Sequence, residues 1–426
     1  MLLAALAACA ALLALPGAAA RAAGTASQYP SGATRPLRLA RASEFVHPTS
    51  RRGSFAARAR HRSPRTRRKP RRPTLRGNPA RALLAFEAMQ QHYYIAGSGL
   101  YLGEPFSYLW PFSVAFAATV SMDEIPHMPV SFAHELQARL VGLGSYMDTN
   151  NSSAPEGVYT STLAAFDAAV APPSGPGGTK YYDDNDWIGL ELLRAYRLTH
   201  SPAVLASAEQ VMAFEMAGWD TNAEHACPGG IPFSNSPENI DRNTVTTAPA
   251  AELAAQLFRI TRNPQYLQFA EQAYEWVRRC LLTPSGLYAD HIDPTGVVEP
   301  MLWSYNQGTM IGTGTLLYQA TGNGAFLDEA RQCAHAALAY FNPERLGGEL
   351  PFFPSVYFRN VLYLDSITHE PPGPKLAQAY ADNAWANLRL GGNLFVAGSP
   401  PAAQLLVQAA IVQIYALLSS PASTYF

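Results

Sequence analysis

The sequence predicts an all-α closed toroid of about six helical hairpins, and three observations lead there. The chain repeats a helix–turn–helix unit, its apolar residues recur at helical spacing, and no stretch alternates apolar and polar residues as a strand would. At 426 residues and 48% hydrophobic content it can bury one large core, and Gly and Pro stand at ordinary levels.

The repeat is read from three segments that align without gaps, "RLTHSPAVLASAEQ", "RITRNPQYLQFAEQ" and "QATGNGAFLDEARQ". Leu205, Leu267 and Leu327 correspond, as do Ala208, Ala270 and Ala330 and then Gln210, Gln272 and Gln332, at offsets of 62 and 60 residues. In each unit one helix ends at "YRLT", "FRIT" or "YQAT", a turn follows and a second helix begins. Pro202 and Pro264 suit a first helical position, where the missing N–H goes unneeded. Leu267, Ala270, Tyr274 and Val277 then fall on one helix face.

Two helices of about 16 residues and a tight turn use roughly 35 to 40 positions of such a period. The surplus is expected in long loops between hairpins, "GWDTNAEHACPGGIPFSNSPENID", "LLTPSGLYADHIDPTGVVEPM" and "NPERLGGELPFFPSVY". In a closed toroid these loops emerge at the end opposite the tight turns, and function is expected there. Further helices are expected in "NPARALLAFEAMQQHYY", "SYLWPFSVAFAATVSM", "SFAHELQARLVGLGSYM", "PKLAQAYADNAWANLRL" and "PAAQLLVQAAIVQIYALLS".

A net charge of -1 conceals two different parts. Residues 1–80 hold 16 of the 31 basic and one of the 32 acidic residues, which leaves 15 basic against 31 acidic in the remainder. The opening run from Leu2 to Leu15, followed by Pro16 and small residues, reads as a secretory leader over 1–22, although it lacks a charged start. Residues 23–76, rich in Arg, Ser and Pro with little to bury, read as a disordered tether. A solvated linker or an over-extended start is the plainer reading of it, and adhesion to an anionic surface, wall polymer or nucleic acid the functional one. The domain proper is expected over 77–426, secreted or associated with the cell envelope, as a monomer with no nucleic-acid partner.

Cys9 falls in the leader, so Cys227, Cys280 and Cys333 allow at most one disulfide and one free thiol. No Cys/His cluster has zinc spacing, no metal or cofactor is expected, and no apolar run after the leader reaches membrane-spanning length.

Against a charged fraction of only 15%, "YYDDNDW" places Asp183, Asp184 and Asp186 within four positions at a loop-to-helix junction. One acid there is explained as a cap or first-turn charge at the positive end of a helix. Two adjacent acids flanked by Tyr182 and Trp187 are not. A magnesium-binding box of the DDxxD kind is disfavoured, because Trp187 holds the fifth position and no second acidic box is present. Glycoside hydrolysis does use two carboxylates, one to attack or activate water and one kept protonated by its neighbour's charge to protonate the leaving oxygen. Retaining chemistry needs carboxyls about 5 to 5.5 Å apart, within reach of side chains leaving adjacent α-carbons about 3.8 Å apart.

A sugar site also needs aromatic faces and hydroxyl partners. Candidates are Tyr182, Asn185, Trp187, Gly230, Phe233, Tyr288, Asp290, Asp293, Trp303, Tyr305, Asn306, Gln307 and the trio Phe358, Arg359 and Asn360. The expected partner is a polysaccharide or glycoconjugate. The alternatives are a carbohydrate-binding toroid without turnover or, less well supported, another α/α-barrel enzyme such as a lyase or epimerase.

The blocks "YYDDNDWIGLELLRAYRLT", "CPGGIPFS", "RNTVTTAPAAELAAQLFRIT", "GLYADHID", "WSYNQGTMIGTGTLLYQATG" and "FRN" resemble, in that order, glycoside hydrolase family 76, the α-1,6-mannanases. The resemblance runs from about Arg81 to the C-terminus and implies an (α/α)6 barrel, retaining endo action on α-1,6-mannan and no metal. It implies Asp183 as nucleophile and Asp184 as acid/base. One departure bears on the glycan: Pro232 and Phe233 follow "GGI", where many members carry another aromatic residue, often Trp.

Overall fold

The computed structural model describes residues 75–149, 163–370, 373–398 and 402–426. The expected leader, 1–22, and all but the last two residues of the expected tether, 23–76, lie outside them. In chain order the helices are α1 (Gly77–Tyr93), α2 (Leu109–Asp123), α3 (Ala133–Leu143), α4 (Tyr182–Thr199), α5 (Pro202–Ala217) and α6 (Thr244–Thr261). They continue as α7 (Pro264–Leu281), α8 (Ser304–Thr321), α9 (Gly324–Tyr340), the short α10 (Pro343–Gly348), α11 (Phe352–Thr368), α12 (Gly373–Asn383) and α13 (Leu405–Leu417).

Burial sorts them into two rings. Every residue of α6 from Thr244 to Leu257, and of α8 from Ser304 to Leu317, is buried. A helix that is apolar or small on all sides must stand inside other helices. By contrast, α7 buries one stripe, with Phe269, Ala273, Trp276 and Val277 inward. The inner ring closes in the order α2, α4, α6, α8, α11, α13 and back to α2, and α5, α7, α9 and α1 pack outside α4, α6, α8 and α13. The fold is an (α/α)6 barrel.

Each tight turn lies where an inner helix ends. His200, Arg262, Gly322 and His369 close α4, α6, α8 and α11 in the left-handed conformation, each returning its N–H to the carbonyl four residues back. Pro202 and Pro264 are the first residues of the outer helices that follow, and Asn263 caps α7 by accepting from the Gln265 N–H at 3.1 Å. The six inner helices are therefore co-directional, with their N-termini and the long connections together at the other end. Regular strand among the described residues is confined to two-residue segments. Three of these pair at that end: Arg242–Asn243, His291–Ile292 and Val298–Glu299.

One expected loop is corrected. "NPERLGGELPFFPSVY" contains α10, whose start is capped by Asn342 accepting from the Arg345 N–H at 2.9 Å, and it contains the opening of α11. An Asn-Pro start is a helix signal, and prolines early in α11 sacrifice no intrahelical bond. Phe358, Arg359 and Asn360 consequently sit in the interior of an inner helix, not on a loop.

Cys227 and Cys280 form a disulfide across 53 residues, tying the connection after α5 to the end of α7, and Cys333 is a free, buried thiol. Among the described residues, no helix is long and apolar enough to cross a membrane.

Candidate active site

The residue that precedes each inner helix stands at the mouth of the barrel. Three of these are aromatic: Tyr108 before α2, Tyr181 before α4 and Trp303 before α8. Tyr108 is exposed, while Tyr181 and Trp303 are half-buried. Tyr181 meets Phe233 edge-on at 5.3 Å, and Trp303 and Tyr305 meet Phe353 at 5.4 and 4.3 Å. Half-buried Trp110 and buried Trp187 both pack on Phe352, at 5.7 and 5.3 Å. Aromatic residues thus flank the N-termini of α2, α4, α8 and α11, whose dipoles favour negative charge.

Asp183 and Asp184 are the second and third residues of α4, with no side chain capping that helix from outside. Burial pushes the Asp183 carboxyl up to about 7, while backbone N–H groups of Asp184 and of Asp183 itself favour its charged form. Asp184 is buried, and burial together with the charge of Asp183 holds it well above the usual carboxylate range. Burial thus raises both neighbours; backbone donors offset part of that rise at Asp183, and the charge of Asp183 adds to it at Asp184.

Asp290 and Asn306 add polar groups at the same end. Asn306 Nδ2 donates to Asp290 Oδ1 at 3.5 Å, and Asn306 Oδ1 is a buried acceptor without a partner among the described residues. His291, on the paired strands, contacts Asp290 Oδ2 through Nδ1 at 3.0 Å and faces Asp241 at 3.8 Å. The hydrogen bond with Asp290 raises its pKa.

Several expected substrate contacts are corrected. Tyr182 points away from the mouth: it is fully buried, stacks on Phe214 at 4.5 Å, and lies so close to Gly218 that a Cβ there would meet its ring at 2.5 Å. Asn185 spends its amide on backbone, accepting from the Phe166 N–H at 2.9 Å and donating to the carbonyls of Phe166 and Tyr181 at 3.0 and 2.8 Å. Gln307 does the same for Tyr288 and Trp303. Both are buried and hold the mouth's backbone. Gly230, at φ +80°, gives its surface to Trp276, whose ring a Cβ would meet at 2.5 Å. Asp293 binds its own turn, accepting from the N–H groups of Thr295 and Val297 at 2.8 and 2.9 Å. Tyr288 and Phe358 are core.

Arg359 and Asn360 lie two turns down α11 in the barrel lumen. With Glu191, Arg194, Glu252 and Gln256 they line a cavity of about 40 Å³ beneath Trp187 and Phe352, enough for a small number of waters. Gly312 lets Asn360 approach α8, since a Cβ there would meet Asn360 Oδ1 at 1.6 Å. The sequence reading passed over Glu215, fully buried on α5, and gave Asp186, fully buried on α4, no place in the site. A Glu set between Phe214 and Met216, in the apolar half of its helix, is the available signal.

The profile of Glycosyl hydrolase family 76 matches residues 80–355. Mannan endo-1,6-alpha-mannosidase DCW1 of Saccharomyces cerevisiae is 26% identical over 186 residues, 40% of this chain and 40% of that protein. The chain thus spans about two fifths of the length of the curated relatives it matches. Among solved structures, the family 76 mannosidase Bt3792 of Bacteroides thetaiotaomicron superposes with a TM-score of 0.69 at 22% identity, covering 80% of this chain and 98% of its own. An α-1,6-mannanase of Salegentibacter sp. HEL1_6, in an inactive variant with two neighbouring aspartates changed to alanine and in complex with α-1,6-mannotetrose, superposes with a TM-score of 0.66 at 20% identity, covering 81% and 99%. With a profile match across well over half its length, this barrel with its paired aspartates belongs to glycosyl hydrolase family 76.

Proposed function

We propose that the protein is a retaining glycoside hydrolase that cleaves α-1,6-linked mannan internally, with Asp183 as nucleophile and Asp184 as acid/base. The observation that carries this is the pair of adjacent carboxyls on the first turn of an inner helix, beside aromatic residues of the mouth. Asp183 attacks the anomeric carbon while Asp184 gives its proton to the departing glycosidic oxygen, leaving a glycosyl ester on Asp183. Once the ester forms, the charge that held Asp184 protonated is gone. Asp184 then takes a proton from the incoming water, which releases the sugar with its original anomeric configuration.

The likeness to α-1,6-mannan enzymes supports the substrate, and the aromatic residues of the mouth suit a polymer passing across it. Trp303, Tyr305, Phe233 and Trp187 supply apolar faces, and Asp290 and Asn306 supply hydroxyl partners. The protein acts in secretion or at the envelope, where such glycans stand.

The test is incubation with linear α-1,6-mannan, following new reducing ends and, by NMR, the first product's anomer. Fresh α-anomer with mid-chain fragments is expected. Fresh β-anomer would overturn retention, and binding without cleavage would leave a carbohydrate-binding barrel.

A further inference from the structure

Beneath the paired aspartates lies a second pair of acids. Asp186 on α4 and Glu215 on α5 are fully buried, and none of their four carboxyl oxygens has a hydrogen-bond partner among the described residues. Asp183 Oδ1 is a further buried oxygen without one. Asp186 follows Asp183 by three positions, so both side chains leave the same face of α4. The charges acting on Asp186 are those of Asp183, the stronger, and of Glu252 from α6. Those acting on Glu215 are Asp186 and then Asp183. All are carboxyls, and among the described residues no group of His, Cys, Asp and Glu is arranged to hold a metal.

A carboxylate buried with neither cation nor donor is far costlier than its neutral acid. Burial accordingly raises both groups well above the usual carboxylate range and favours their protonated forms. A protonated carboxyl has an O–H to donate. Asp183, one turn away, has a buried acceptor without a donor.

We propose that Asp186, kept as a neutral acid beside Glu215, donates a hydrogen bond to the Asp183 carboxylate, directly or through one ordered water, and so positions the nucleophile in its charged form. This rests on the nucleophile reading above and deepens it. A neutral donor favours the charge on Asp183, whereas an ionised Asp186 would oppose it.

The test compares Asp186→Asn, which keeps a donor of the same shape that cannot ionise, with Asp186→Leu, which keeps neither. Asp186→Asn should retain activity on linear α-1,6-mannan within about threefold, with the low-pH limb unmoved. Asp186→Leu should lose roughly tenfold or more in kcat at unchanged KM, with that limb moved up by about one pH unit. Two readouts need no turnover. Carbon-13 NMR of Asp-labelled protein follows the titration of Asp183, which should rise in Asp186→Leu and stay in Asp186→Asn. Infrared spectra at neutral pH should show a carboxylic-acid carbonyl band that weakens in Asp186→Asn and in Glu215→Gln, both near-isosteric.

An Asp183 titration unmoved by Asp186→Leu, one lowered by Asp186→Asn, or no change in the acid band would each overturn the proposal. Expected titration shifts without mannan cleavage would sink the mannanase reading and leave the hydrogen bond standing.

Discussion

At the scale of the residue, the site turns on which of two neighbours holds a proton. Burial and the charge of Asp183 both favour the protonated form of Asp184, which suits it to the acid role proposed for it. Asp184→Asn should therefore lose at least about a hundredfold on mannan, yet keep most of its first step on an aryl mannoside whose leaving group needs no proton. Burst kinetics with the aryl substrate check this, and equal losses on both substrates would remove Asp184 from the acid role. The adjacent tyrosines show the limit of reading residues singly. Tyr181 stands at the mouth beside Phe233, and Tyr182 is stacked in the core on Phe214. Consecutive positions at a helix start leave in different directions, and which one meets the site depends on how the helix is rotated in the ring.

At the scale of the element, the inner helices share a device for holding the mouth together. Asn185, Thr247, Gln307 and Gln408 are each the fourth residue of their helix, and each accepts the backbone N–H of a residue in the connection that leads into it. The partners lie 13 to 19 residues earlier in the chain. A buried amide side chain satisfies backbone groups that a loop cannot pair by itself. Replacing Asn185 by Ala removes three such bonds and orphans the Phe166 N–H, so about 2–4 kcal/mol of stability should be lost. Denaturant unfolding measures it; a loss within about 0.5 kcal/mol would mean that water replaces the clamp. The hairpin period was legible because Leu, Ala and Gln recur in register. The clamp was not, since its residue type varies and its partners belong to irregular connections.

Across the whole molecule, the barrel encloses more charge than its apolar helices announce. Arg194 bridges Glu124 and Glu191, the latter at 2.5 Å, and Arg359 reaches Ser121 at 3.4 Å. Glu252 joins this lumen with its pKa pushed up to about 8 by burial, so the folded protein binds a proton there that the unfolded chain releases near the ordinary Glu value. A raised acid stabilises the fold fully below the unfolded pKa and loses that contribution as pH climbs to the folded one. Stability should thus fall between about pH 4.5 and 8, and Glu252→Gln should lessen the fall. Thermal melts of both proteins across that window decide it. A variant whose Tm runs parallel to the wild type would show that Glu252 is already ionised in the fold.

By itself the sequence determined the class of the fold and marked the acid pair at its mouth, because helical periodicity, repeat spacing and adjacent acids are local properties of a chain. It marked Asp183 and Asp184 but could not separate sugar-facing residues from those that brace the site. Asn185, Gln307, Tyr182 and Gly230 all fall in the motif blocks, yet the amides of Asn185 and Gln307 bind backbone, the ring of Tyr182 lies in the core and Gly230 packs under Trp276. Only the closed ring decided this, by setting the rotation of each inner helix about its axis and by bringing α5 against α4 so that Glu215 meets Asp186. Burial, which sets protonation here, arises from what the rest of the chain places around a residue.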